Sequence, residues 1–436
     1  MKIYLDKPPL HMLIFIDLDG TLVDTTHPTW RPWRDGEMEV DINYVGVFQG
    51  ALDFLNNLRN NGHTVILFSD SHPKYVNKFK SMFGLQGISL ADKPNTKKLL
   101  EYISNHPDIE NLFQDKNQCF FIGDTKLDIE TGRRLKIRTI LMKQYLVKPE
   151  NVNLRDGVGD LQGNIKIGPT YVARNFEEAG RILDSSDSYL YCLEGAFKGV
   201  SSSRAVRFSD LTYKDHSLGL IRCLARQEQG ECDPFARADM YYQIANPSRS
   251  EEFLSIISQG VSTYIKALGK DPKYRWDYLT YLTDKSTTQP PNKMKAIFDR
   301  IDTTIPKVRT FCWKEEGQGS LRERNKYNER QEFLNQYLQI TDDINLTDKN
   351  IIVIDDQLTT GATAFYAIKA LKARGAHNVI IITLFQMIMQ VTSGMVCPRC
   401  GKEMLIKIRR NDGKKFYSCT LPKYGGDGCG YSVDIA

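Results

Sequence analysis

The chain has no run of about 18 apolar residues, the length a membrane-spanning helix needs. The apolar stretch near its start, in MKIYLDKPPLHMLIFIDLDG, runs straight into acidic residues and has no small-residue cleavage site. It reads as a core strand and not as a signal peptide. Net charge is also scarce, since 58 Lys and Arg against 53 Asp and Glu leave a formal +5. Global charge therefore gives no argument for a polyanionic partner. Neither an internal repeat nor a low-complexity tract is evident, which sets aside solenoids and propellers. Of nine cysteines, Cys119, Cys192, Cys223, Cys232 and Cys312 are scattered, as reduced thiols usually are. The expected compartment is the cytoplasm. What the chain does have is length: 436 residues with 41% apolar and 25% charged content suit two α/β domains and a small appendage.

Short β-rich runs alternate with amphipathic stretches, the pattern of βα units and parallel sheet. Strand candidates in the first half are MLIFI (12–16), TVILF (64–68), CFFI (119–122) and RTILM (138–142), with TYVAR and the helix NFEEAGRIL closing the series. SSDS (185–188) is the best first linker. From about 189 to 275 the periodicity is helical, and EEFLSIISQGVSTYIKAL reads as core. A second series follows, with WDYLTYLTD, KVRTFCW, NIIVIDD and NVIIITLF as strands and KMKAIFDRI, ERQEFLNQYL and AFYAIKALKARG as helices.

Four elements fall at the ends of expected strands, where α/β sheets hold ligands. In IFIDLDGTLVD, Asp17 and Asp19 lie two residues apart, so an extended backbone points both carboxylates one way. One can attack phosphorus while the other serves as acid and base at the leaving oxygen. Ser69 in FSDS could hydrogen-bond a phosphoryl group. Lys93 in ADKPNTKK could offset charge on pentacoordinate phosphorus, although Lys97 and Lys98 lie close enough to compete for that role. In IGDTKLDIETG, Asp124 and Asp128 offer oxygen ligands of the kind Mg²⁺ takes.

This order of motifs, over roughly residues 12–183, resembles the haloacid dehalogenase superfamily of phosphatases. The resemblance implies Asp17 as nucleophile and Asp19 as acid/base. Ser69 and Lys93 fall at further catalytic positions, and Asp17, Asp19, Asp124 and Asp128 form the expected magnesium set. Between Thr25 and Gly50 there is space for a short excursion only, carrying Trp30, Arg31, Trp33 and Arg34. It is too short for a helical lid, so the site is open to bulky substrates, nucleic-acid ends included. The two tryptophans could equally cover the site edge or pack between domains.

In IIVIDDQLTTGATA (351–364) a buried strand leads through two acids and a Thr/Gly turn into a helix. A turn from Gln357 to Thr363 can aim backbone N–H groups and hydroxyls at a phosphate. Asp355 and Asp356 would bind a diol just beyond it, an arrangement that fits a ribose 5-phosphate. The segment resembles the phosphoribosyl pyrophosphate signature of type I phosphoribosyltransferases, and GQGSLRERNKYNERQEFL is similar to the competence-protein F type. The resemblance covers roughly 190–390 and implies displacement of pyrophosphate from ribose C1 by a nitrogen base, with Mg²⁺. It gives Asp355, Asp356, Gln357, Leu358, Thr359, Thr360, Gly361, Ala362 and Thr363 as the phosphoribosyl-binding segment. Lys285 to Thr288 would face pyrophosphate, and Lys314, Arg322 and Arg324 would close over it. Gln357 departs from the apolar residue usual there.

CPRC (397–400) is followed by Cys419 and Cys429, a C-x2-C knuckle and two further thiols suited to tetrahedral Zn²⁺. A tail of this size has too little core to fold alone, so a structural metal is physically sensible. With KKFYSC, the pattern is similar to the zinc ribbons of topoisomerase C-termini, though the last spacing, through LPKYGGDG, is longer. A disulfide or redox use of the four thiols is the alternative. IKIRRNDGKKFY interleaves cations with Phe416 and Tyr417, which suits either nucleic acid or protein docking.

The fold class expected is α/β, with two Rossmann-like domains of mainly parallel sheet and a small zinc ribbon. Boundaries fall at 1–185, 186–395 and 396–436. The leading function is a bifunctional enzyme, phosphatase and phosphoribosyltransferase, using Mg²⁺ and Zn²⁺. Its partners would be a phosphorylated small molecule or nucleotide, phosphoribosyl pyrophosphate and, through the ribbon, nucleic acid. A nucleic-acid end-processing phosphatase and a nucleotide-sensing regulator are the alternatives.

Overall fold

The computed structural model describes residues 11–39, 41–144, 167–208, 212–213, 216–217, 219–228, 250–270, 275–284, 292–314, 321, 327–341, 343–388, 390–409, 414–420 and 429–435. The chain divides into two compact units, one formed by residues 1–186 with 389–436 and the other by 187–388.

Unit 1 is built on a six-stranded sheet of order β3-β2-β1-β4-β5-β6. Its strands are β1 (Leu13–Ile16), β2 (Thr64–Phe68), β3 (Gln86–Ile88), β4 (Cys119–Gly123), β5 (Arg138–Met142) and β6 (Tyr171–Ala173). Every neighbouring pair is parallel. LIFI, CFFIG and RTILM are buried along their whole length, as strands covered by helices on both faces must be. The helices of this unit are α1 (Arg31–Arg34, a single turn that buries no residue) and the covering α2 (Ala51–Asn60), α3 (Pro73–Phe83), α4 (Lys97–Ser104), α5 (Pro107–Gln114), α6 (Lys126–Arg134) and α7 (Phe176–Asp184). This strand order reverses direction at β1, so the crevice beyond the carboxyl ends of β2, β1 and β4 is the natural ligand position.

Unit 2 has a five-stranded sheet of order β11-β14-β15-β10-β7. In chain order its elements are α8 (Cys192–Phe197), β7 (Val206–Arg207), β8 (Thr212–Tyr213), β9 (His216–Ser217), β10 (Leu220–Glu228) and α9 (Ser250–Gly269). They continue with β11 (Tyr278–Tyr281), α10 (Lys293–Arg300), β12 (Phe311–Trp313), α11 (Tyr327–Tyr337), β13 (Leu338–Ile340), β14 (Asn350–Leu358), α12 (Ala362–Ala373) and β15 (Asn378–Ile388). The four long strands are parallel and only the short β7 is antiparallel. Of the expected strands, KVRTFCW is divided: Lys307 bridges in parallel to Leu279 of β11, with the Val308 N–H donating to Leu279 O at 2.9 Å, while β12 pairs antiparallel with β13.

The helical reading of 189–275 is corrected here, because β10 lies in the sheet between β15 and β7. Its apolar positions Leu220, Ile221, Leu224 and Ala225 mimic helical spacing, and its two arginines look solvent-facing in sequence. Arg226 is instead 1% exposed, with Nε 2.8 Å from Glu194 Oε1 and Nη2 2.9 Å from Oε2. A buried cation of this kind persists only when paired and hydrogen-bonded.

The C-terminal segment of unit 1 forms a three-stranded antiparallel sheet, β16 (Met404–Ile408), β17 (Lys415–Cys419) and β18 (Ser432–Asp434). Cys397, Met404 and Cys419 make its small buried cluster. No helix among the described residues is long and apolar enough to cross a membrane.

Candidate active site

Asp17 follows β1 directly, and its N–H donates to Ile122 O of β4 at 2.9 Å, which fixes it at the crevice mouth. Lys93 Nζ sits 2.6 Å from Asp17 Oδ1 and 2.6 Å from Asp128 Oδ1, with Asp70 Oδ2 at 4.0 Å. Of the three lysines near this position, Lys97 pairs with Glu101 and Lys98 donates to Leu90 O, so Lys93 is the one at the carboxylates. Burial pulls the Lys93 ammonium down, but Asp128, Asp17 and Asp70 more than offset it and hold it above the usual lysine value. The loop that delivers Lys93 has Leu90 (φ 48°) and Asp92 (φ 64°) in the left-handed region, a strained backbone of the kind found at functional sites. Asp70 Oδ1 secures the loop by accepting the Lys93 N–H at 2.9 Å.

Asp17, Asp124 and Asp128 bring one oxygen each within 4.8 Å of one another, and all three are buried. An all-oxygen, all-carboxylate set of this kind fits Mg²⁺. Asp128 is set by a capping box, its Oδ2 accepting the Thr125 N–H at 3.0 Å and hydroxyl at 2.8 Å. Gly20, at φ 90°, leaves the space: a Cβ there would lie 2.4 Å from Asp124 Oδ2.

The Asp19 carboxylate is not brought into that cluster. Four hydroxyls surround it instead: Thr25 at 2.6 Å, Ser71 at 2.8 Å, Tyr75 at 2.8 Å and Ser69 at 3.3 Å. Hydroxyls turn to accept as readily as to donate, so this cage suits both protonation states of an acid/base. Ser69 thus faces Asp19, and its oxygen also accepts the Ser71 N–H at 3.1 Å. Burial first, and then the Asp19 charge, push the Tyr75 phenol far above its usual value, so it stays a donor. Thr25, Ser71 and Tyr75 escaped the sequence reading. The run of threonines after Asp19 was the available signal, whereas Tyr75 looks like an ordinary core aromatic.

The excursion after Thr25 forms short helical turns, Pro28–Trp30, α1 and Ile42–Tyr44. Trp30 and Trp33 pack ring to ring at 4.6 Å, and Arg34 O accepts the His72 N–H at 2.7 Å, which anchors the excursion beside Ser71.

In unit 2, Asp355 and Asp356 lie near the carboxyl end of β14. The turn is shorter than expected, since Gln357 and Leu358 remain in β14, paired with Phe385 and Gln386 of β15. Gln357 is held sideways, its Nε2 donating to Gln227 Oε1 at 3.1 Å and lying 2.5 Å from Met387 Sδ. Thr359, Thr360 and Gly361 make the turn, and Ala362 and Thr363 already belong to α12. Gly361 takes φ 80°, which glycine adopts without a Cβ penalty. Lys293 Nζ lies 2.5 Å from Asp356 Oδ2, and Asp284 Oδ2 accepts the Met294 N–H at 2.5 Å. Burial, then the Asp356 charge, push Asp355 well above the usual carboxylate range. Burial likewise raises Asp284. Lys285 to Thr288, Arg322 and Arg324 lie outside the described residues; Lys314 is described, and its N–H donates to Tyr337 O at 2.8 Å.

Cys397, Cys400, Cys419 and Cys429 bring their sulfurs within 4.8 Å of one another. The pairs Cys397–Cys429 and Cys400–Cys419 are 3.6 and 3.4 Å apart, too far for disulfides and close enough for one tetrahedral ion. Burial pushes the Cys397 thiol up, but the Arg399 and Cys400 N–H groups, together with the Cys429 and Cys400 thiols, outweigh it and bring it to about 7. The four thiols fit Zn²⁺.

No family model matches the chain, and no curated protein matches it. Solved structures similar to it include a HAD-superfamily hydrolase from Ehrlichia chaffeensis, 15% identical over 40% of this chain and 98% of that one, with a TM-score of 0.28. A haloacid dehalogenase-like hydrolase from Streptococcus pneumoniae is 17% identical over 39% and 97%, also at 0.28. A hydrolase from Pseudomonas syringae is 14% identical over 40% and 98%, at 0.29. Likenesses of this size carry no weight for function, so the chemistry rests on the site itself.

Proposed function

We propose that unit 1 is a magnesium-dependent phosphohydrolase that works through a phosphoryl group held on Asp17. The supporting observation is the meeting of Asp17, Lys93 and Asp128 at one buried point, with Lys93 Nζ 2.6 Å from both carboxylates although the three come from distant segments. An Asp17 carboxylate oxygen attacks phosphorus, and the bond from phosphorus to the ester oxygen breaks. Asp19, protonated, gives its proton to that leaving oxygen. Asp19 then takes a proton from water, whose oxygen attacks the phosphorus of the acyl phosphate. The bond to Asp17 breaks, returning its carboxylate and releasing phosphate. Lys93 keeps Asp17 oriented and places positive charge beside the phosphoryl oxygens. Mg²⁺ on Asp17, Asp124 and Asp128 would supply further positive charge for the same oxygens. With 4-nitrophenyl phosphate and Mg²⁺, Asp17→Asn is expected to lose at least about 10⁴-fold in phosphate release. Unchanged release would refute the assignment.

Unit 2 we read as a binding site for a ribose 5-phosphate, used for phosphoribosyl pyrophosphate-dependent transfer to a nitrogen base. The acids at 355 and 356 followed by the Thr359–Gly361 turn into α12 support this. Incubation with phosphoribosyl pyrophosphate, Mg²⁺ and a panel of bases should release pyrophosphate; binding without product would favour a nucleotide sensor. The zinc ribbon carries Lys407, Arg409 and Lys415 beside Phe416 and Tyr417, which supports a nucleic-acid contact and a phosphatase acting on nucleic-acid ends. Salt-sensitive binding and faster hydrolysis of a phosphorylated oligonucleotide than of mononucleotides would test it.

A further inference from the structure

The ribbon is docked on the helix that carries one of the magnesium carboxylates. Arg134, the last residue of α6, places Nη1 3.1 Å from Glu403 Oε1 and Nη2 3.2 Å from Glu403 Oε2, a two-pronged pair across 269 positions of chain. The guanidinium is 8% exposed and is also held by Glu130, one turn earlier, at 2.7 Å. Thr392 adds a hydroxyl to Glu403 Oε2 at 2.7 Å. Planar bidentate pairs of this kind fix orientation as well as adding energy.

Glu403 is itself held by the cysteine cluster. Its neighbour Lys402 accepts the Cys397 N–H at 2.7 Å through its carbonyl. Its own carbonyl accepts the N–H of Thr420, next to Cys419, at 3.2 Å, and Met404 on its other side packs with Cys397 and Cys419. A segment with so small a core keeps this shape through its metal. At the other end of the nine-residue α6, Asp128 is the third helical residue and sits in the carboxylate cluster.

We propose that the α6 end formed by Glu130 and Arg134 is the docking surface for the chain's own ribbon, and that zinc in the ribbon and magnesium at Asp128 are thereby linked. This rests on the two metal readings above. With zinc bound, Arg134 is clasped and α6 is pinned at both ends; with zinc removed, the clasp is lost and Asp128 sits on a looser helix. Linkage requires the effect to be reciprocal.

The test uses the full chain. Zinc content and Mg²⁺ affinity, by calorimetry, are measured first, and then hydrogen exchange of α6. Glu403→Gln, or a zinc-selective chelator as a second perturbation, is expected to speed α6 exchange and weaken Mg²⁺ binding about fivefold, the low end of typical couplings. A chain that binds zinc and magnesium but whose α6 exchange and Mg²⁺ affinity ignore both perturbations overturns the linkage alone. A chain that binds neither metal overturns the metal readings and the linkage with them.

Discussion

At the scale of residues, the site divides its two neighbouring aspartates by their surroundings. Asp17 faces a lysine and two carboxylates, while Asp19 faces four hydroxyls. Their spacing, and the positions of Asp124 and Asp128, were legible because strand ends converge in a parallel sheet. That the Asp19 carboxylate stands apart from Asp17, Asp124 and Asp128 was not legible, since it depends on Tyr75 and Ser71 arriving from α3 and its preceding loop. Gly20→Ala would drive a methyl into Asp124 and force an unfavourable φ, so it is expected to weaken Mg²⁺ binding and phosphate release at least tenfold with the fold retained, as circular dichroism would report. In unit 2 the burial of Asp355 gives a pH effect. Its carboxyl binds a proton more tightly folded than unfolded, so ionising it costs stability once pH rises above the ordinary carboxylate range. Asp355→Asn is therefore expected to stabilise unit 2 at pH 7, and the gain should fade as pH drops toward about 4. Thermal melts across that range would check it.

At the scale of elements, apolar runs announced β1, β2, β4, β5 and β6 of unit 1 and β11, β14 and β15 of unit 2, but not the short β3. The long central β10 was hidden because a strand carrying Arg222 and the buried Arg226 reads like an amphipathic helix. Glu194 of α8 makes that strand possible by holding Arg226 through three bonds of 2.8 to 3.1 Å. Glu194→Ala strips these bonds from a buried guanidinium and is expected to destabilise unit 2 by about 3–5 kcal/mol in denaturant titrations. The turn at 359–361 was placed two residues early because nothing in IDDQLTTG shows that Gln357 is held by Gln227 and Met387 from neighbouring strands.

At the scale of the whole molecule, the chain forms two units, and residues 389–436 belong with the first. The cysteine spacing announced that the four thiols meet, but nothing local in sequence could show that Glu403 reaches Arg134. Calorimetry is expected to show a zinc-selective chelator lowering the unfolding transition of unit 1, and Glu194→Ala lowering that of unit 2. The central claim is the nucleophile. Acid quenching during turnover of 4-nitrophenyl phosphate, followed by mass spectrometry of the peptide containing Asp17, tests it most directly. One phosphoryl group is expected on Asp17, absent in Asp17→Asn; steady turnover with no phosphoryl group on that peptide, or with Asp17→Asn fully active, would show that Asp17 is not the nucleophile.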